Sequence, residues 1–427
     1  MVIITLVMTI LRFLLNEKGR VNPDSIRYMR FAHVLPEIDN TITPLGYPFS
    51  IKLITFFGTD EFWASKIVGI LCFLFTIFFA WKKNFFLKES IVIASIFSFL
   101  SIFSFTMSEA LILPFALLFF YCAHQIITGK ISGGKAIFYL SLSLIALYNI
   151  RYSSLFFVGG TVLFGLLFWR KNYGKTFIIS GFVGFAFIVA YKFLFIDRFN
   201  SNYVNEFLEI GLHPTSKLLV EFVQAIVTSF NPFIHIADPN GGKINIVIYG
   251  IGAINFLLML YFFITKKHSE TEKFLLIIGS SGIVCSFFIQ YFYSITPLDY
   301  RLLAPFSYPI WLVYFKKLFE IFNVKTYALG FLSLISGGLF TWLSKGDYLE
   351  NRKEITRFLK DENLENKKLL FYVKDEKNLD EIQIGELIST VNSDIDLTFK
   401  AEDTLKKTTL TEHKVLEKIQ LRKNKYQ

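Results

Sequence analysis

The sequence predicts an all-α polytopic membrane protein of about eleven transmembrane helices, carrying a small α/β appendage at its C-terminus. Three observations lead there. Of 427 residues, 53% are hydrophobic and only 18% charged, and the mean hydropathy of +0.48 is too apolar for a water-soluble chain of this length. Phe accounts for 51 residues and aromatics for 18%, a load that lipid-facing and interfacial helix surfaces accept more readily than a soluble core. The basic residues behind the net charge of +10 fall largely in short loops between apolar runs, which is a topology signal and argues against a nucleic-acid partner.

A bilayer core takes roughly 20 mostly apolar residues per helix. Such runs occur at Val2–Leu15, Phe62–Trp81, Ser90–Met107, Ala110–Ile127, Ala136–Ile150, Ser154–Trp169, Thr176–Phe195, Ile244–Ile264, Phe274–Tyr293, Leu302–Phe319 and Thr326–Leu343. The first is short and contains Arg12; no Lys or Arg precedes it and no small-x-small site follows, so it reads as a helix rather than a removable leader. Alternate loops are basic: Lys82, Lys83 and Lys88; Lys130 and Lys135; Arg170, Lys171 and Lys175; Lys266, Lys267 and Lys273; Lys316, Lys317 and Lys325. By the positive-inside rule these face the cytoplasm. The C-terminus is then expected outside, on a protein of the bacterial cytoplasmic (inner) membrane.

Three external pieces are long enough to have structure. The loop 16–61 contains a short helix opening at Asp24, placed along the membrane surface. The loop 196–243 has a helical stretch from Ser216 to Phe230, preceded by Pro214 and closed by Asn231-Pro232. Residues 1–344 thus form a transmembrane domain. Residues 345–427 form a soluble extracytoplasmic domain with strands at Lys368–Val373 and Asp394–Phe399 and a helix at Ile382–Val391 between them.

The chain lacks a nucleotide-phosphate loop, a zinc-ligand cluster and a Gly-x-Ser-x-Gly elbow, which disfavours ATP-driven pumping. Cys72, Cys122 and Cys285 each sit inside an apolar run and behave as small hydrophobes. What remains is a set of ionisable groups at outer helix ends, where charge near lipid is costly: Asp24 with Arg27 and Tyr28, Glu109 after Ser108, Arg151 with Tyr152, and Asp299-Tyr300-Arg301. Acids and arginines converging at one membrane face suit a reaction between a lipid-linked phosphate held by guanidinium groups and a hydroxyl or amine deprotonated by a carboxylate. Each group also has a plainer reading. Asp24 is then a helix cap, Glu109 a tight-turn residue, and Arg151 and Arg301 interfacial anchors. His33, His213 and His235 share the outer side with Asp24, so a divalent metal stays open as an addition to a site otherwise expected to need no cofactor.

At these residues the chain resembles the GT-C superfamily of membrane glycosyltransferases, especially the bacterial relatives of protein O-mannosyltransferases and of the lipid A aminoarabinose transferase. The segments that carry the likeness are Pro23-Asp-Ser-Ile-Arg-Tyr28, Thr43-Pro-Leu-Gly-Tyr-Pro-Phe-Ser-Ile-Lys-Leu53, Ser108-Glu109, Asn149-Ile-Arg-Tyr152 and Asp299-Tyr-Arg-Leu-Leu-Ala-Pro305. The resemblance implies a polyprenyl-phosphate-linked sugar as donor and a glycan, lipid or protein as acceptor. Asp24 would be the first-loop catalytic acid and Glu109 the second-loop acid. Arg151 and Arg301 would contact donor phosphate, with Arg27, Tyr28, Tyr47, Lys52, Tyr152 and Tyr300 also lining the substrate site. Many relatives have Asp-Glu where this chain has Asp24-Ser25, so a second carboxylate, if needed, has to come from Glu109, Glu37 or Asp39. A single displacement from a lipid phosphate, itself a good leaving group, would invert the anomeric centre. Two other readings stand beside this one: a transporter or flippase for lipid-linked glycans, and a polysaccharide polymerase or ligase.

Overall fold

The computed structural model describes residues 1–38, 43–199, 215–235, 242–293, 298–375, 379–406, 408–413 and 415–419. They are mostly helical. Among them, seven stretches are long and apolar enough to cross a membrane: Glu61–Lys83, Ser108–Ile127, Gly133–Ile150, Gly174–Phe199, Lys243–Thr265, Glu270–Tyr291 and Tyr300–Leu343. The last contains two helices, so these stretches hold eight of the expected spans. Val2–Leu15 and Tyr152–Leu167 are apolar but shorter.

In chain order the bundle consists of α1 (Val2–Leu15), α2 (Pro23–Val34), α3 (Gly46–Thr55), α4 (Glu61–Lys83), α5 (Leu87–Ser95), α6 (Phe97–Phe103), α7 (Ser108–Ile127), α8 (Gly133–Ile150), α9 (Leu155–Leu167) and α10 (Gly174–Tyr191). Then come α11 (Thr215–Ser229), α12 (Lys243–Thr265), α13 (Glu270–Tyr293), α14 (Tyr300–Phe322) and α15 (Tyr327–Leu343). The continuous span expected over Ser90–Met107 is instead the pair α5 and α6, broken at Ile96, whose ψ of 136° is extended. Every residue of α6 is buried. The Phe97 N–H that loses its helical partner at the break donates to Ser333 Oγ at 2.8 Å.

α11 forms the helix expected in the second long loop, and its C-terminal end lies inside the bundle. Phe230 packs on Trp311, the twelfth residue of α14, and Gly252 of α12 approaches so closely that a Cβ there would sit 1.9 Å from the Val227 carbonyl oxygen. The chain turns at Asn231-Pro232 and returns. Irregular backbone at that depth survives only where protein satisfies its polar groups. Asn231 Oδ1 accepts from the Phe233 and Ile234 N–H groups while its Nδ2 donates to the Ile248 carbonyl. Asn255 Nδ2 serves the Phe230 carbonyl, Ser336 serves Phe233, and Ser333 donates to the Pro232 carbonyl at 2.6 Å. One hydroxyl therefore joins the break in α5–α6 to the turn after α11.

Beyond α15 the chain forms α16 (Tyr348–Asp361), β1 (Leu369–Tyr372), α17 (Leu379–Val391) and β2 (Ile395–Thr398). The two strands are parallel, with Leu369 opposite Ile395 and Tyr372 opposite Thr398, as a strand–helix–strand crossover requires. The appendage does not close its core alone. Tyr348, Ile355, Leu359, Phe371 and Ile388 pack with Ile26 and Met29 of α2 and Phe62 of α4. Polar ties reinforce this: Arg352 Nη2 reaches Asp60 Oδ2 at 2.7 Å, Arg30 reaches Asp396 at 2.7 Å, and His33 lies between Glu61 (2.8 Å) and Asp394 (3.3 Å).

Two consequences are measurable. Ser333→Ala leaves a buried N–H and a buried C=O without their partner and is expected to destabilise the folded protein by about 1–3 kcal/mol, read as a lowered unfolding midpoint in detergent. His33 has its pKa raised, chiefly by the hydrogen bond to Glu61, against the opposing effect of burial. Its contribution to holding the appendage is thus complete below its unfolded value of about 6.5 and is lost as pH rises through the higher folded value. The stability gap between wild type and His33→Gln should accordingly shrink as pH rises through neutrality; a gap independent of pH would refute the assignment.

Candidate functional site

α2 is fixed by a capping box: Asn22 Oδ1 accepts from the Ser25 N–H at 2.9 Å and Ser25 Oγ accepts from the Asn22 N–H at 3.1 Å, with Pro23 in the first turn. The cap is therefore Asn22, and Asp24 is free of that duty. Its carboxylate, half-exposed, meets Arg27 at 3.4 Å and sits one turn before Tyr28 on the same helix face. Tyr28 is buried; its ring meets Tyr47 edge-on at 5.1 Å and its hydroxyl donates to Ser108 Oγ at 3.0 Å. Burial, and then the negative charge of Glu109, push the Tyr28 pKa up to about 12, so it is a donor at neutral pH.

Below Tyr28 lies the second acid. Ser108 Oγ donates to Glu109 Oε2 at 3.4 Å, and Arg151 Nη1 lies 2.8 Å from Glu109 Oε1. Glu109 is 1% exposed, so its charge depends on this partner. Arg151 ends α8 with extended backbone, and its Nε donates to Ser153 Oγ at 2.9 Å. Arg301 acts electrostatically on the same carboxylate. It stands at the start of α14, where Asp299 caps the helix through Oδ1 and holds Arg301 Nε through Oδ2 at 2.9 Å. Arg301 Nη1 is buried without a hydrogen-bond partner. A guanidinium so oriented, with an unused donor beside a Glu–Arg pair, can receive an oxyanion.

The sequence-derived residues divide in space. Tyr28, Tyr47, Glu109, Arg151 and Arg301 converge. Tyr300 adjoins them, accepting a 3.4 Å hydrogen bond from Arg20. Tyr152 instead belongs to an aromatic cluster with Tyr148 and Tyr191. Lys52 Nζ donates to the His33 carbonyl at 2.9 Å and serves the end of α2. Arg27 is exposed and pairs with Asp24. Glu37 is exposed past the end of α2, and Asp39 and His213 lie outside the described residues. His33 and His235 have separate surroundings, and among the described residues no group of three His, Cys, Asp or Glu side chains is placed to hold a metal ion. A cleft of about 660 Å³ lined by Lys88, His124, Thr271 and Lys316 lies at the other end of α4, away from these residues.

Sequence reading passed over Arg20 and Lys66. Lys66 is 2% exposed, and its ammonium reaches the Arg20 and Ser104 carbonyls and Thr106 Oγ1. Its signal was present, since a lysine inside an apolar span is itself a functional flag. Comparison of the chain with protein families, curated proteins and solved structures yields no match.

Removing one member of a buried pair strands the other. Arg151→Met is expected to cost about 3–5 kcal/mol of stability, and adding Glu109→Gln should restore most of it. A double variant no more stable than the single one would show that the pair is not coupled.

Proposed function

We propose that the protein is an integral-membrane glycosyltransferase with a GT-C-like fold. It moves a sugar from a polyprenyl-phosphate-linked donor to a glycan, lipid or protein acceptor at the extracytoplasmic face, on which the appendage also lies. The observation that carries this reading is the unused, buried Nη1 of Arg301 beside the Glu109–Arg151 pair, which Ser108 links to Tyr28, one helix turn from the half-exposed carboxylate of Asp24. Together these supply an anion receptor and an accessible base at one end of an apolar bundle.

In the proposed reaction Asp24 takes the proton from the acceptor hydroxyl or amine. The acceptor attacks the anomeric carbon as the bond to the phosphate oxygen breaks, and polyprenyl phosphate leaves with the electron pair. Arg301 stabilises the departing charge, and Glu109 with Ser108 positions Arg151 and Tyr28 around it. Inversion at the anomeric carbon follows from a single displacement.

Purified protein given labelled polyprenyl-phosphate sugar and acceptor should release the lipid phosphate. Asp24→Asn, nearly identical in shape and no longer entangled with capping, should lower turnover by about 10²–10⁴-fold with donor binding and unfolding midpoint close to wild type. Arg301→Lys should weaken donor binding, because a point charge does not replace a fork. Binding without release in the wild type would instead favour the transporter reading.

A further inference from the structure

A closed ring of side chains lies between the end of α1 and the start of α14. Arg12 Nε donates to Ser101 Oγ at 2.9 Å, and Arg20 Nη2 donates to the Ser101 carbonyl at 3.2 Å and to the Tyr300 hydroxyl at 3.4 Å. The Tyr300 ring centroid is 3.8 Å from that of His235, and His235 is 4.6 Å from Phe97. Phe97 in turn carries the Arg12 guanidinium over its face at 4.4 Å. The ring thus holds three nitrogen bases and no carboxylate. Arg12 and His235 are 2% and 5% exposed. The Arg20 Nε and both His235 nitrogens are buried with no hydrogen-bond partner.

Serine, carbonyl and phenol oxygens, with Thr341 Oγ1 accepting from Arg12 Nη1 at 3.3 Å, satisfy donors but bring no opposite charge, so two guanidinium groups sharing one serine in apolar surroundings attract an anion. Burial, then Arg12 and Arg20, hold the His235 pKa well below the usual histidine range, so it is a neutral imidazole with one donor and one acceptor nitrogen. Two separate guanidinium forks match a phosphoryl group, with its three free oxygens, better than a carboxylate with two. The ring also adjoins the receptor described above. Phe105 carries both Arg20 (4.4 Å) and Arg301 (5.5 Å), so their guanidinium carbons are no more than about 10 Å apart. Two linked phosphoryl groups span that interval with one arginine to each.

We infer that Arg12, Arg20, Tyr300 and His235 form a second phosphoryl site, and that the lipid donor is joined to its sugar through a diphosphate. This deepens the glycosyltransferase reading and rests on it. The bond broken is then that between the anomeric carbon and the nearer phosphate oxygen, and polyprenyl diphosphate is the leaving group.

The test compares farnesyl phosphate, farnesyl diphosphate and phosphatidylglycerol as ligands of the purified full-length protein by calorimetry. The diphosphate should bind about tenfold or more tightly than the monophosphate. Arg20→Gln should remove that difference while leaving monophosphate binding in place, whereas Arg301→Gln should weaken both. Tyr300→Phe, which removes one oxygen, gives the same direction with a smaller loss should Arg20→Gln fold poorly. Equal affinity for the two prenyl ligands in the wild type overturns the second site and leaves the monophosphate donor standing. Phosphatidylglycerol binding as tightly as the diphosphate assigns the ring to membrane lipid and also overturns the inference. Binding of none of the three overturns both the inference and the donor reading.

Discussion

A charge taken out of water into a helix bundle must be met by an opposite charge or by an enclosing set of dipoles, and much of this architecture answers that demand. At the end of the bundle where α1 finishes, Arg12, Arg20 and Lys66 gather at the end of α6, while Arg151 pairs with Glu109 and Arg301 with Asp299. Ion pairs account for Arg151 and Arg301. The others have only dipoles around them, the nearest of which come from one short element, with Thr341 and Thr106 adding to them. α6 ends at Phe103, and the Ser101 and Ser104 carbonyls near its end, without continuing helix to occupy them, receive Arg20 and Lys66. The broken span therefore lowers the cost of holding buried cations here.

The break has its own dependence. An extended residue at Ile96 frees the next N–H inside the bundle, and the turn at Pro232 frees a carbonyl; Ser333 of α15 answers both. Neither irregular segment satisfies itself. Together with Asn231 and Asn255, one serine lets α6 and the turn after α11 sit beside His235 and Tyr300, where the proposed chemistry is placed.

Apolar runs of membrane length announced most spans because that signal is local and summed over many residues. The appendage strands and their intervening helix were legible for the same reason, through periodicity. Glu109, Arg151 and Arg301 could be put on one face from their places at helix ends, but the ion pair between Glu109 and Arg151 could not be read there. The break at Ile96 could not be foreseen: no glycine or proline marks it, and the group that sustains it lies 236 residues away. Lys52 and Arg27 looked like site residues by proximity to Asp24, yet a helix turn and a neighbouring carbonyl claim them. The cap of α2 was misplaced by two residues because Asn22 and Asp24 are both good cap residues; only the reciprocal bonds with Ser25 choose between them.

The way the appendage closes on α2 also sets an order of events during synthesis. Ile26 and Met29 leave the ribosome early, but the side chains that cover them come from beyond residue 347, and Arg30 meets Asp396 across 366 positions. At about 5–20 residues per second, the segment that carries α2 waits tens of seconds for its own roof. During that interval the helix bearing Asp24 has an uncovered apolar flank, and only its other side, through Tyr28, is anchored to the growing bundle. The C-terminal residues thus act on the beginning of the chain, and a truncation near residue 345 would be felt at residues 26 to 33.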